Sequence, residues 1–299
     1  MNQTALTLPR RSTKPRRTGL TMVVDGGLPL GALRDLVASA GEYLDLVKFG
    51  WGTAVVSGEL EDKLVLLQAH GIEYYVGGTL FEKHVLQDRF DAFRALCHRL
   101  SCRYVEVSNG TIDLSNTEKA GYVRKLADEF TVISEVGFKD ADRSERLSPR
   151  RWIEYVEEDL EAGAELVTLE ARESGSSGIC RPDGRLRFGL VEDLVAALPL
   201  DRLLFEAPGT TLQAYFVERL GPDVNLGNVA ATGVLGLETL RLGLRADTLL
   251  ALDPGRNGHP PGRRLDSPGR RAGEPRGGDL DAVGGAHGEA GAHGEEVGW

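Results

Sequence analysis

This 299-residue sequence predicts a single-domain (β/α)8 barrel, the TIM-barrel class of α/β fold. Three observations carry that prediction. Eight short apolar runs alternate with longer amphipathic stretches between Gly19 and Leu250. Glycines stand where the amphipathic stretches should stop, as helix-ending glycines do. A polar or charged residue closes each run, and in a parallel barrel those positions converge on one face.

The runs are Leu20–Val24, Leu44–Phe49, Ile72–Val76, Tyr104–Val107, Val132–Glu135, Leu166–Leu169, Leu203–Phe205 and Val224–Leu226. Their length and their β-branched and aromatic content suit strands buried on both faces. Between them, Leu33, Leu36, Val37 and Ala40, or Leu60, Leu64, Leu67 and Gln68, recur at helical spacing. Gly41, Gly71, Gly163 and Gly221 mark the expected helix ends. An open doubly wound sheet is the alternative arrangement of the same alternation.

The barrel is expected over 19–252, flanked by two disordered segments. Residues 1–18 carry Arg10, Arg11, Lys14, Arg16 and Arg17 and no acid, and read as a basic solvated arm rather than a targeting peptide. Residues 253–299 are rich in Gly, Pro, Arg and His and hold too few large apolar side chains to offset the entropy of ordering them. With the leader removed, the body is strongly acidic, which disfavours nucleic acid and anionic membranes as partners. No apolar stretch reaches the roughly 18–20 residues of a membrane span, and no signal peptide is expected. Cys97, Cys102 and Cys180 form neither a metal pattern nor a disulfide framework, so a cytoplasmic protein with reduced thiols is expected.

The strand ends hold the chemistry. In chain order they read Asp25; Lys48 before Gly-Trp-Gly-Thr; Gly77-Gly78-Thr79-Leu80-Phe81-Glu82; Glu106 before Ser108-Asn109-Gly110; Glu135-Val-Gly-Phe-Lys139; Glu170-Ala-Arg172-Glu173; Glu206; and Asn225-Leu-Gly-Asn228. One charged loop residue is usually only solvated, but eight together are costly to bury without a use. The carboxylates suit a hard divalent cation such as Mg2+, and the lysines and Arg172 suit phosphate or carboxylate. The glycines at 77–78 and 227 offer backbone N–H groups to an oxyanion. No phosphate-loop or dinucleotide fingerprint appears. His70, His84 and His98 make no zinc pattern, although His84 lies close to Glu82. Residues 174–178, Ser-Gly-Ser-Ser-Gly, read as a mobile loop over the site.

The strings VKFGWGT (47–53), GGTLFE (77–82), VEVSNG (105–110), SEVGFK (134–139), EARESG (170–175), FEAP (205–208), NLGNV (225–229) and LETLRLGLRADT (237–248) resemble the phosphosulfolactate synthase family. The resemblance covers every strand end from Gly19 to Thr248. It implies a carbon–sulfur lyase that uses Mg2+ to join sulfite to phosphoenolpyruvate, giving (2R)-2-phospho-3-sulfolactate, a step toward coenzyme M in methanogens. It also implies a self-associating barrel. On this resemblance Lys139 donates the proton to C2, with Lys48 and Glu135 as catalytic partners. Asp25, Glu106, Glu135 and Glu170 surround the metal, while Arg172, Gly77, Gly78, Glu82, Glu173 and Asn228 bind substrate. Two positions depart from the family pattern. Gly26 stands where a lysine is usual, and Asn109 where an aspartate is usual. They leave two alternatives: a different nucleophile added to phosphoenolpyruvate, or a non-catalytic relative like the plant heat-stress-associated members.

Overall fold

The computed structural model describes residues 5–172 and 174–253. The glycine-rich tail from Pro254 onward and Glu173 lie outside the described residues.

Eight strands form one sheet: β1 (Thr21–Asp25), β2 (Leu46–Phe49), β3 (Glu73–Val76), β4 (Tyr104–Val107), β5 (Thr131–Val136), β6 (Ala164–Leu169), β7 (Leu203–Glu206) and β8 (Leu226–Val229). Every pairing is parallel, in the order β3-β2-β1-β8-β7-β6-β5-β4. The helices follow in the expected alternation. They are α1 (Leu30–Ala40), α2 (Thr53–Val56), α3 (Leu60–Ala69), α4 (Gly78–Leu86), α5 (Phe90–Arg99) and α6 (Asn116–Ala127). Then come α7 (Ala141–Arg146), α8 (Pro149–Glu161), α9 (Phe188–Ala197), α10 (Thr210–Leu220), α11 (Val234–Arg241) and α12 (Ala246–Leu249). The doubly wound alternative is excluded, because β1 pairs with β8 and the two end strands, β3 and β4, pack against each other, so the sheet curls into a nearly closed barrel.

Among the described residues, the one join without a ladder lies between β3 and β4. Side chains bridge it instead. Gly78 N–H donates to Glu106 Oε2 at 2.5 Å, and Glu82 on α4 accepts from Ser108 Oγ and from the N–H groups of Gly110, Thr111 and Ile112.

The core has two parts, as strand alternation dictates. One apolar shell fills the space between strands and helices. A smaller cluster fills the barrel interior: Leu20, Met22, Leu46, Tyr75, Ile133, Leu166 and Leu204. One layer higher, the inward face of β2, β4, β5, β6 and β7 carries Lys48, Glu106, Glu135, Thr168 and Glu206, all buried. The floor is therefore apolar and the top polar, which leaves the chemistry only one end of the barrel.

Seven predicted runs coincide with strands to within a few residues, while the eighth is displaced. The run Val224–Leu226 ends where β8 begins. Asn225 lies below the strand, accepting from Leu20 N–H (3.1 Å) and donating to Leu203 O (3.0 Å). The apolar pattern misleads there because β8 contains Gly227, whose Cβ would lie 2.8 Å from Met22 Cε. Of the predicted helix stops, Gly71, Gly163 and Gly221 have positive φ. Gly41 instead is right-handed (φ −58°) and starts a 3-10 turn.

The leader has neither helix nor strand over residues 5–18, yet it is anchored rather than merely solvated. Arg11 bonds Asp223, Glu238, Pro222 O and Gly19 O, Arg16 pairs with Asp45 at 3.0 Å, and Lys14 donates to Gly41 O.

Candidate active site

The strand ends converge on one pocket lined by Val24, Lys48, Trp51, Gly77, Gly78, Thr79, Glu106, Glu135, Lys139, Glu170, Glu206 and Asn228. At its centre Lys48 Nζ stands 3.0 Å from Glu106, 3.5 Å from Glu135 and 3.6 Å from Glu206. Burial works against the Lys48 charge, but Glu106, Glu135 and Glu206 outweigh it and hold the ammonium well above its ordinary pKa. Lys139 follows β5 and reaches back over it. Its Nζ lies 3.6 Å from Glu135 Oε1 and 3.3 Å from Thr79 Oγ1. Burial again opposes the charge, and Glu135, Glu170 and Glu82 more than offset it, so Lys139 is protonated and its pKa raised.

The carboxylates divide by environment. Glu135 feels burial first, yet Lys139 and Lys48 bring it down to about 2. Burial raises Glu106 to about 7 despite Lys48 beside it. Glu170 is pushed well above its ordinary value by burial and by Glu135 and Glu206. Burial also raises Glu206, against the pull of Lys48. One oxygen each from Glu135, Glu170 and Glu206 lies within 4.8 Å of the others. Glu135 Oε1 and Glu170 Oε2 are buried without a hydrogen-bond donor. Three converging hard oxygen donors, two of them with an unfilled acceptor, fit an oxygen-seeking divalent cation.

The predicted residues do not all arrive there. Lys48, Lys139, Glu106, Glu135, Glu170 and Asn228 line the pocket. Asp25 does not join the carboxylates of the predicted metal set. Its Oδ2 pairs with Lys63 of α3 at 2.7 Å, and its Oδ1 caps the N–H groups of Gly27 and Leu28. The converging triplet holds Glu206 in place of Glu106, whose oxygens face Lys48 and the Gly78 N–H. Glu82 is engaged in the β3–β4 bridge, where both its oxygens accept hydrogen bonds. The oxyanion donors predicted at Gly77 and Gly78 are already spent, on Phe49 O (3.0 Å) and Glu106. Arg172 sits beside the pocket in a left-handed conformation (φ 59°). Its N–H donates to Glu170 and Glu206, and its guanidinium to Lys139 O. His84 turns back onto Leu80 O and packs edge-on to Phe93, away from the chemistry. Among the departures, Asn109 donates to Leu114 O within its own loop. Gly26 lies under Trp51, and a Cβ at 26 would come 1.9 Å from the indole.

Other contributors went unread in the sequence. Thr79 and Trp51 sit within glycine-rich turns, and nothing in the local sequence sets them apart there. Lys63 and Lys119 lie inside apolar helix stripes, which was the available signal, and both are fully buried. Lys119 pairs with Asp159 at 2.7 Å and donates to Glu135 O at 2.7 Å, bracing β5 from behind. Asn228 is held at φ 52° with its amide donating to Glu206.

A parallel barrel with cations and carboxylates gathered over an apolar floor defines a (β/α)8 enzyme. Residues 9–247 match the family described as (2R)-phospho-3-sulfolactate synthase (ComA), and the chain belongs to that family. It is 49% identical over 249 residues to the phosphosulfolactate synthase of Bacillus subtilis, covering 83% of this chain and 99% of that one. It is 41% identical over 253 residues to the phosphosulfolactate synthase of Methanothermobacter thermautotrophicus, covering 83% and 98%. Identity falls to 25% with the Arabidopsis thaliana protein Heat-stress-associated 32, over 77% of this chain and 88% of that one.

Proposed function

We propose that this protein is a carbon–sulfur lyase that adds sulfite to C3 of phosphoenolpyruvate, giving (2R)-2-phospho-3-sulfolactate with the help of Mg2+. The observation that supports it best is protonated Lys139 beside the Glu135–Glu170–Glu206 triplet, an acid poised over an anion-stabilising site. Sulfite sulfur forms the new bond to C3 as the C2=C3 π pair moves to C2 and into the carboxylate. Lys139 Nζ–H then delivers a proton to C2, and the nitrogen is reprotonated from solvent at its exposed side (29% of the side chain). Lys48 and Arg172 hold the substrate's anionic groups; Lys48 is aimed by the carboxylates around it. Glu135, Glu170 and Glu206 would hold the Mg2+, which would supply positive charge against the negative charge that develops in the reaction.

We place the reaction in the cytoplasm. Among the described residues no helix is long and apolar enough to cross a membrane.

The test is direct. Full-length protein is incubated with Mg2+, phosphoenolpyruvate and sulfite, and product is followed by 31P NMR and mass spectrometry, with each component omitted in turn. Phosphosulfolactate should form only in the complete mixture. Phosphoenolpyruvate bound without product would point to another nucleophile, and no binding at all to a non-catalytic barrel.

A further inference from the structure

Tyr75 of β3 is fully enclosed, and its hydroxyl has no hydrogen-bond partner. Its neighbours in the barrel interior are Leu20, Met22, Leu46, Ile133, Leu166 and Leu204, a setting that phenylalanine would fill equally well. A buried hydroxyl left unbonded is destabilising, so its presence calls for a use. The surroundings point to one. Tyr75 lies opposite Lys48 in the β2–β3 register. The next inward position on β3 is Gly77, and a Cβ there would lie 3.3 Å from Lys48 Cε, so the lysine stem occupies that space. Tyr75 also borders the β3–β4 join, which has no ladder. The charges acting on the phenol are Glu106 above all, then Lys48, Glu206 and Glu135. Burial and Glu106 keep it protonated, hence a donor. Glu106 Oε1, for its part, has Lys48 Nζ at 3.0 Å and no hydrogen-bond donor besides.

We propose that Tyr75 is a positioning residue, whose hydroxyl takes over Glu106 Oε1 when Lys48 turns from that carboxylate to the substrate anion. The inference rests on the reaction proposed above. Lys48 cannot serve two anions equally, and a buried Glu106 that lost its cation would pull the ammonium back. A second donor below Glu106 releases Lys48. The phenol is thus idle in the free protein and engaged in the complex.

Tyr75→Phe separates this role from packing. The ring remains, so the free protein should melt at the wild-type temperature or above it. Turnover should fall roughly tenfold, and phosphoenolpyruvate affinity, titrated calorimetrically with Mg2+, should weaken by a similar factor, as for loss of a hydrogen bond to a charged group. Wild-type turnover and affinity in Tyr75→Phe would overturn the inference while leaving the reaction intact. A lowered melting temperature with unchanged affinity would overturn it too, by reducing Tyr75 to packing. Wild-type protein that neither binds phosphoenolpyruvate nor makes product would sink the reaction, and the inference with it.

Discussion

At the scale of single residues, the site turns on two lysines in different settings. Lys48 is nearly closed off, with 10% of its side chain exposed, and is held among carboxylates, whereas Lys139 keeps a face to solvent and can be reprotonated. Lys139→Ala should therefore lower turnover by roughly 10²–10⁴-fold, the usual worth of a positioned acid. The fold should survive, since Lys139 is partly exposed and its ion pair is long. Turnover by the purified variant within a few-fold of wild type would remove Lys139 from the proton-donor role, provided circular dichroism shows it folded. Residues of this kind were legible in the sequence because a charge directly after a buried apolar run is costly to keep unless the protein uses it. Their partners were not. Asp25 has the same sequence context as Glu135, but Lys63 arrives from α3 to neutralise it, and no local pattern reports which helix side chain returns to which strand end. Gly77 and Gly78 failed for a related reason, since composition shows a backbone donor but not whether a neighbour has already used it.

At the scale of elements, alternation and helix stops made the barrel legible, because burial on both faces and a positive φ each leave a mark in sequence. β8 escaped because a glycine demanded by crowding inside the barrel interrupts its apolar run. The loop after β4 shows how elements are tied to one another: Glu82 of α4 gathers a hydroxyl and three N–H groups from it, closing a join that has no ladder. Behind β5 the tie is Lys119 of α6, which is enclosed with Asp159 of α8 and donates to Glu135 O. Ser134 Oγ also donates to Asp159, at 2.6 Å. Lys119→Met leaves the Asp159 charge buried without its cation, a change that typically costs about 3–5 kcal/mol. Urea denaturation should show a loss of about that size, and a shift below about 1 kcal/mol would mean that the pair does not brace β5.

At the scale of the whole molecule, charge was legible as a sum but not as an arrangement. The basic leader beside an acidic body was in plain view, yet that contrast is what draws Arg11 and Arg16 onto Asp223, Glu238 and Asp45. The same accounting sets how stability responds to pH. Glu106, at about 7, and Glu170 and Glu206, both raised, keep protons in the folded protein that the unfolded chain has released above its ordinary carboxyl value of 4.5. From pH 4.5 to 7 the folded state thus binds more protons than the unfolded one, and stability falls as pH rises, by about 3 kcal/mol from Glu106 alone. Glu135, at about 2, acts oppositely, losing its stabilisation as pH drops from 4.5 toward 2. These groups together place their most favourable contribution near pH 4.5–5. A divalent cation that binds the ionised triplet adds stability where the free protein is losing it, about 2.7 kcal/mol at a hundredfold excess over its dissociation constant. Denaturation at pH 5, 6, 7 and 8, with Mg2+ or with EDTA, should therefore give a falling curve in EDTA and a flatter one in Mg2+. Parallel curves would deny the triplet a metal, and a curve in EDTA that rises toward pH 8 would deny Glu106, Glu170 and Glu206 their raised pKa values.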